Sequence, residues 1–328
     1  MKRIYLALGM LTCIILTMAG KLVYAQSAAS FPSRPITIIV PFTPGGPTDM
    51  YARMIAAKMQ EHWGQPVLVD NRPGGTGILG NNLVIKSPPN GYTLLFTSNS
   101  AHLISTLLKN PKPYDSIKDF TPITIAIKYP MYLLINPNIP AKTVPEFIAY
   151  AKANGSKLNY SSVGLGSGGH LACELFNIAA GTNITHVPYK GAVPAQASTI
   201  AGETQMFCDS VGNSQPMVDA GKLRGLATFS DKRVSTVDNV PTLGEVGLPG
   251  LAAYIWLGLL GPPGMPTDIT NKLNAEVLRI MALPEIRDRA LKGGNEIVAN
   301  SPEQFSKDMA QEIVFWSRII KEKNIKED

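Results

Sequence analysis

From Pro35 onward, short runs of β-branched and apolar residues alternate with longer stretches in which apolar positions recur every three or four residues. The first pattern fits strands buried on both faces and the second fits amphipathic helices, so the alternation predicts an α/β fold with a mostly parallel sheet. Ile36 to Val40 reads as a strand, Tyr51 to Trp63 as a helix with Met54, Ile55, Met59 and Trp63 on one side, and Val67 to Val69 and Thr93 to Phe96 as the next strands. A second run of strands follows at Tyr132 to Ile135, Leu158 to Ser161, Val187, Met206 to Cys208 and Leu223 to Thr228, with helices between them. Ile255 to Leu260 is a further strand, and a helix from about Pro266 to Ala282 comes after it.

Helix starts are marked by their caps. Thr143-x-x-Glu146 and Ser301-x-x-Gln304 are capping boxes with Pro145 and Pro302 in the first turn. The last helix carries Phe305, Met309, Ile313, Trp316 and Ile320 on one face, so the C-terminus docks against a domain. Lys128-Tyr129-Pro130 and the Pro/Gly-rich stretch from Val240 to Leu251 read as crossings between domains. They divide the chain into a discontinuous domain of residues 31–130 and 252–328 and an inserted domain of residues 131–251, with a cleft at the interface.

Ahead of the first strand, Lys2 and Arg3 precede an apolar run from Ile4 to about Ala19 and then Val23-Tyr24-Ala25. This is the order of a secretory signal peptide over residues 1–25, cleaved near Ala25, and it predicts a periplasmic mature chain. The alternative is an uncleaved membrane anchor. Of 328 residues, 45% are hydrophobic and 16% charged, which excludes disorder and coiled coil. The net charge of +6 falls to +3 without Lys2, Arg3 and Lys21, and no later basic run exceeds two residues, so a nucleic-acid partner is not expected. Beyond Cys13, which lies in the apolar run, only Cys173 and Cys208 remain. An oxidising compartment permits a disulfide between them, and two separately buried thiols fit equally well.

Two strand-to-helix turns concentrate polar and glycine residues. Phe42-Thr43-Pro44-Gly45-Gly46-Pro47-Thr48-Asp49 opens the first helix, and its backbone N–H groups suit a carboxylate; a tight turn with an N-cap is the structural alternative. Ser161-Ser162-Val163-Gly164-Leu165-Gly166-Ser167-Gly168-Gly169-His170 contains G-x-G-x-x-G. The ribose-binding acid expected about 20 residues further on is replaced by His186-Val187-Pro188-Tyr189, so a small anion fits better than a dinucleotide. Thr97-Ser98-Asn99 and Asp209 follow other strands, where ligands of open α/β sheets bind. The four histidines show no metal-ligand spacing, and neither a metal nor a cofactor is expected.

Taken in order, several short segments resemble the solute receptors of the tripartite tricarboxylate transporter system, the Bordetella uptake gene (Bug) family. They are Ile39-Val40-Pro41-Phe42 with Pro44-Gly45-Gly46 and Asp49; Val69 to Gly75; Pro89 to Leu94; Tyr160 to Leu171; Val187 to Gly191; and Val240-Pro241-Thr242 with Glu245 and Gly247 to Gly250. Gly75-Thr76 and Pro47-Thr48 depart from the family's usual residues. The resemblance implies a type II periplasmic binding protein, two α/β domains around a ligand cleft, which captures a small organic acid and delivers it to membrane permease subunits. A monomer is expected, and the lack of a recognisable acid/base or nucleophile constellation points away from catalysis. The ligand positions the resemblance implies are Phe42, Gly45, Gly46, Thr48, Asp49, Thr97, Ser98, Asn99, Ser162, Gly166, Ser167, His170 and Asp209. The competing expectation is a secreted hydrolase using Ser167 and His170.

Overall fold

The computed structural model describes residues 30–323 and 325. The expected signal peptide and its cleavage site near Ala25 lie outside them. Strands β1 (Ile36–Val40), β2 (Val67–Asn71) and β3 (Thr93–Ser98) are parallel, with β1 in the middle. That central place follows from its composition, because Ile36, Ile38, Ile39 and Val40 are all buried and only a strand covered on both faces satisfies a continuous apolar run. Beyond β3 comes the late strand β9 (Tyr254–Gly261), antiparallel to β3 and to β4 (Thr121–Ile135).

β4 belongs to both halves of the molecule. Its residues up to Pro130, opposite Tyr254, pair with β9; from Met131, opposite Ser210, they pair with β7 (Met206–Ser210) and with β8 (Arg224–Thr228). β5 (Asn159–Ser162) and β6 (Thr185–Pro188) extend the second half in parallel with β7, and the two-residue β10 (Glu296–Ile297) pairs with β4 at Ile127 and Lys128. Side chains alternate across β4 with a period of two. Leu133 and Ile135 enter the main core, whereas Tyr132 and Leu134 join Phe207, Val211 and Leu223 in a smaller one on the other face.

The Lys128-Tyr129-Pro130 segment, expected as a crossing between domains, is strand. Proline fits here because it sits where the ladder changes partner and no N–H is needed, and Pro122 likewise lies at a register shift. Helix α1 spans Pro47–Trp63, starting before the expected Tyr51 because Pro47 takes the first helical position. Next come α2 (Ile78–Ile85), a π turn (Ser100–Ile104) leading into α3 (Ser105–Leu107), α4 (Val144–Asn154), α5 (Gly168–Ala180), α6 (Ala192–Ala201) and α7 (Val211–Asp219). The chain ends with α8 (Thr267–Met281), α9 (Pro284–Lys292) and α10 (Pro302–Lys323). α10 buries Phe305, Met309, Trp316 and Ile320 and packs on β4. A disulfide joins Cys173 of α5 to Cys208 of β7, with Cα atoms 5.9 Å apart.

Candidate functional site

The loops that follow β1, β3, β5 and β7 face one another across a cleft of about 1090 Å³. Its walls are built largely from backbone. α1 starts after Gly46, α6 after Gly191 and α7 after Ser210, all three residues line the cleft, and none of these starts is closed by a side-chain cap. At α1 the Gly46 carbonyl accepts from Met50 N–H in the ordinary helical way, while Pro47 has no N–H to offer. The first-turn N–H groups of Thr48 and Asp49 are the donors such a helix start holds out to an anion. Lys190 and Asp209 are the only charged side chains among the residues lining the cleft. Tyr129, Met131 and Ile255 supply floor and side wall from the shared strands.

Of the positions expected at the ligand, Phe42, Gly46, Thr48, Ser98, Gly166, Ser167 and Asp209 line the cleft. The remaining six do not, and all of them except Thr97 have another task. Gly45 donates its N–H to Asp49 Oδ2 at 2.9 Å, while Asn71 Nδ2 and Arg53 Nε donate to the same carboxylate at 2.9 and 3.0 Å. Burial alone would raise the Asp49 pKa, but these donors and the Arg53 charge lower it, so Asp49 is a fixed anion that holds the loop. Thr97 is buried inside β3. Asn99 caps the π turn by accepting from Ser100 N–H at 3.0 Å and donates to the Tyr254 carbonyl at 2.9 Å, facing away from the cleft.

Ser162 and His170 shape the second glycine loop from beneath. Ser162 Oγ accepts from Gly164 N–H at 3.1 Å and lies 2.7 Å from His186 Nε2. His170 Nδ1 accepts from Gly166 N–H at 3.0 Å, which requires that nitrogen to be unprotonated. The two imidazoles stack with centroids 4.0 Å apart, and Tyr160 stacks on His186 at 4.9 Å. Burial, then the neighbouring His186, pushes the His170 pKa down to about 3, and burial pushes His186 down to about 4. Both rings are neutral supports at ordinary pH.

The same geometry removes the hydrolase reading. Ser167 Oγ is the N-cap of α5, accepting from His170 backbone N–H at 3.3 Å, and the imidazole of His170 is engaged by Gly166. Among the described residues no base addresses the Ser167 hydroxyl, and the close Ser162–His186 pair is sealed because Ser162 is fully buried. Sequence reasoning missed the Gly74-Gly75-Thr76-Gly77 wall, Tyr129, Lys190 with Gly191, and Asn213. Gly74, Gly75 and Gly77 all hold positive φ, and a side chain at Gly77 would meet Ala101 Cβ at 2.7 Å. The clustered glycines of this segment were the available signal.

Two α/β lobes joined through shared strands, with helix starts and glycine loops converging on the cleft between them, define a two-domain periplasmic binding protein. Residues 51–325 match the family described as the tripartite tricarboxylate transporter family receptor. BugT of Bordetella pertussis is 34% identical over 302 residues, covering 92% of each chain. Among solved structures, Rpa4515 of R. palustris with adipate superposes with a TM-score of 0.82 at 35% identity, covering 89% of this chain and 97% of that one. MatC from Rhodopseudomonas palustris with bound malate gives 0.79 at 33% identity, covering 88% and 100%. The chain belongs to this receptor family, the Bug family, whose members are periplasmic substrate-binding proteins and not enzymes.

Proposed function

We propose that the mature chain captures a small organic carboxylate in the cleft and hands it to the permease subunits of a tripartite tricarboxylate transporter. The observation that carries this reading is the convergence of two helix starts without a side-chain cap, at Gly46 and Gly191, on a cleft whose one cation is Lys190. Backbone donors at a helix start stabilise an anion without a paired cationic side chain, and charge-assisted hydrogen bonds there contribute about 1.5–3 kcal/mol each. The adipate and malate held by solved relatives belong to the same chemical class. The carboxylate sits at Gly46 and Thr48; Phe42, Ser98, Gly166, Ser167 and Asp209 contact the rest of the ligand; Gly45, Asp49, Asn99, Ser162 and His170 hold the loops in shape.

Residues 31–130 with 252–328 and residues 131–251 form the two domains, a division supported by the change of β4 partners between Pro130 and Met131. The receptor acts as a monomer, which sedimentation of the exported protein tests. The signal peptide is removed near Ala25 on export to the periplasm, which N-terminal sequencing of the exported protein tests. For the ligand, the deciding measurement is a thermal-shift screen of organic acids. An acid at 100 times its dissociation constant stabilises the folded chain by about 2.7 kcal/mol. Absence of a shift with every mono-, di- and tricarboxylate tried would refute the receptor reading.

A further inference from the structure

Resting on the carboxylate-receptor reading, we infer that Asp209 recognises a hydrogen-bond donor on the ligand, so that the preferred solute is a carboxylate carrying a hydroxyl, amide or ammonium group rather than a second carboxylate. Asp209 sits at the end of β7 with 8% of its surface exposed, and it lines the cleft. Its Oδ2 accepts from Ser214 Oγ at 2.9 Å, and the Ser210 N–H and Asn213 side chain also donate to it. These donors come from the start and first turn of α7. The anion seat at that helix start is therefore already filled by the protein's own carboxylate, unlike those at Gly46 and Gly191.

What Asp209 presents to the cleft is acceptor capacity. A carboxylate has about four lone-pair sites, and a ligand hydroxyl or N–H can use what the protein donors leave. A second ligand carboxylate brought to the same place would face a like charge in a setting sheltered from water. The Asp209 charge also bears on the half-buried Tyr129 on the same wall, whose ionisation burial and then that charge oppose. Lys190 cannot cancel this repulsion from within, because it is an exposed residue after β6. Burial raises the Asp209 pKa against the effect of its three donors, and a donor from the ligand would favour the charged form.

The test is titration calorimetry on the mature chain with length-matched acids: succinate against succinamate and 4-hydroxybutyrate, and adipate against 6-hydroxyhexanoate and adipamate. The donor-bearing acid of the better-binding length should bind at least tenfold tighter than the diacid, about 1.4 kcal/mol. In Asp209→Asn the ranking should contract to within threefold, because the diacid gains affinity while the donor-bearing acid loses it. A gain for the diacid is a result that simple damage to the site cannot produce. Diacids binding as tightly as their partners to the unaltered chain would overturn the inference while leaving the receptor reading intact. Failure of every acid to bind would remove both.

Discussion

Gly45 and Gly46 are neighbours with separate tasks. Gly45 holds φ +93°, where an L side chain is strained whatever the space around it, whereas Gly46 has an ordinary φ of −79° and a side chain there would meet nothing within 4 Å. Gly45→Ala should therefore cost about 1–2 kcal/mol of stability. Gly46→Val should leave the melting temperature within about 2 °C yet weaken acid binding at least tenfold, about 1.4 kcal/mol, because its methyls project into the space the carboxylate needs. Melting curves and calorimetry on the pair separate the two roles; undiminished affinity in Gly46→Val would move the carboxylate elsewhere. His170 marks how far residue-level reading reaches. Its position at a helix start beside glycines was visible in the sequence, but its partner is the N–H of Gly166, whose φ of +71° turns that group back onto the ring. Chain order does not encode which way a loop N–H points.

At the scale of elements, the capping boxes were legible because cap and helix are adjacent in sequence: Thr143 Oγ accepts from Glu146 N–H at 3.3 Å and Ser301 Oγ from Gln304 N–H at 3.2 Å. Apolar runs such as Ile36–Val40 were legible for the same reason. β4 was legible only from Tyr132 to Ile135, since the residues that make Lys128 to Pro130 a strand lie far away, at Tyr254, Ile255 and Trp256 of β9. Nor did spacing decide between paired and free thiols; only the packing of α5 on β7 brings Cys173 to Cys208. That link closes 35 residues of chain. Its loss should lower stability by about 3–4 kcal/mol on the chain-entropy account. Denaturant melts with and without reductant, and of Cys173→Ala/Cys208→Ala, measure it; unchanged midpoints would mean the link adds nothing to the helix–strand packing.

For the whole molecule, acid should act through buried imidazoles. Burial pushes His102 down to about 4, as it does His186, with His170 at about 3. Unfolded histidine takes its proton near pH 6.5, so between there and about 3–4 the unfolded chain binds more protons and stability falls as pH falls. Glu312 acts in the opposite sense, because burial raises its folded pKa to about 7 and it gains stability as pH drops through that value. Melting temperatures should fall steeply below pH 5, and Glu312→Gln should remove a gain on acidification between about pH 7 and 4.5, so that the decline starts at higher pH. Ligand contacts from both lobes should draw them together, so small-angle scattering should give a smaller radius of gyration at saturation; an unchanged profile would indicate a cleft already closed. The strand order also sets a timetable for synthesis. β9 lies between β3 and β4 although it is made long after both, so the first lobe cannot complete its sheet until Gly261 has left the ribosome. A chain ending at Leu251 keeps the second lobe but should lose the cooperative melt of the first, measured by circular dichroism. Until then the facing edges of β3 and β4 stand without the strand that joins them, so an interrupted chain carries two open sheet edges.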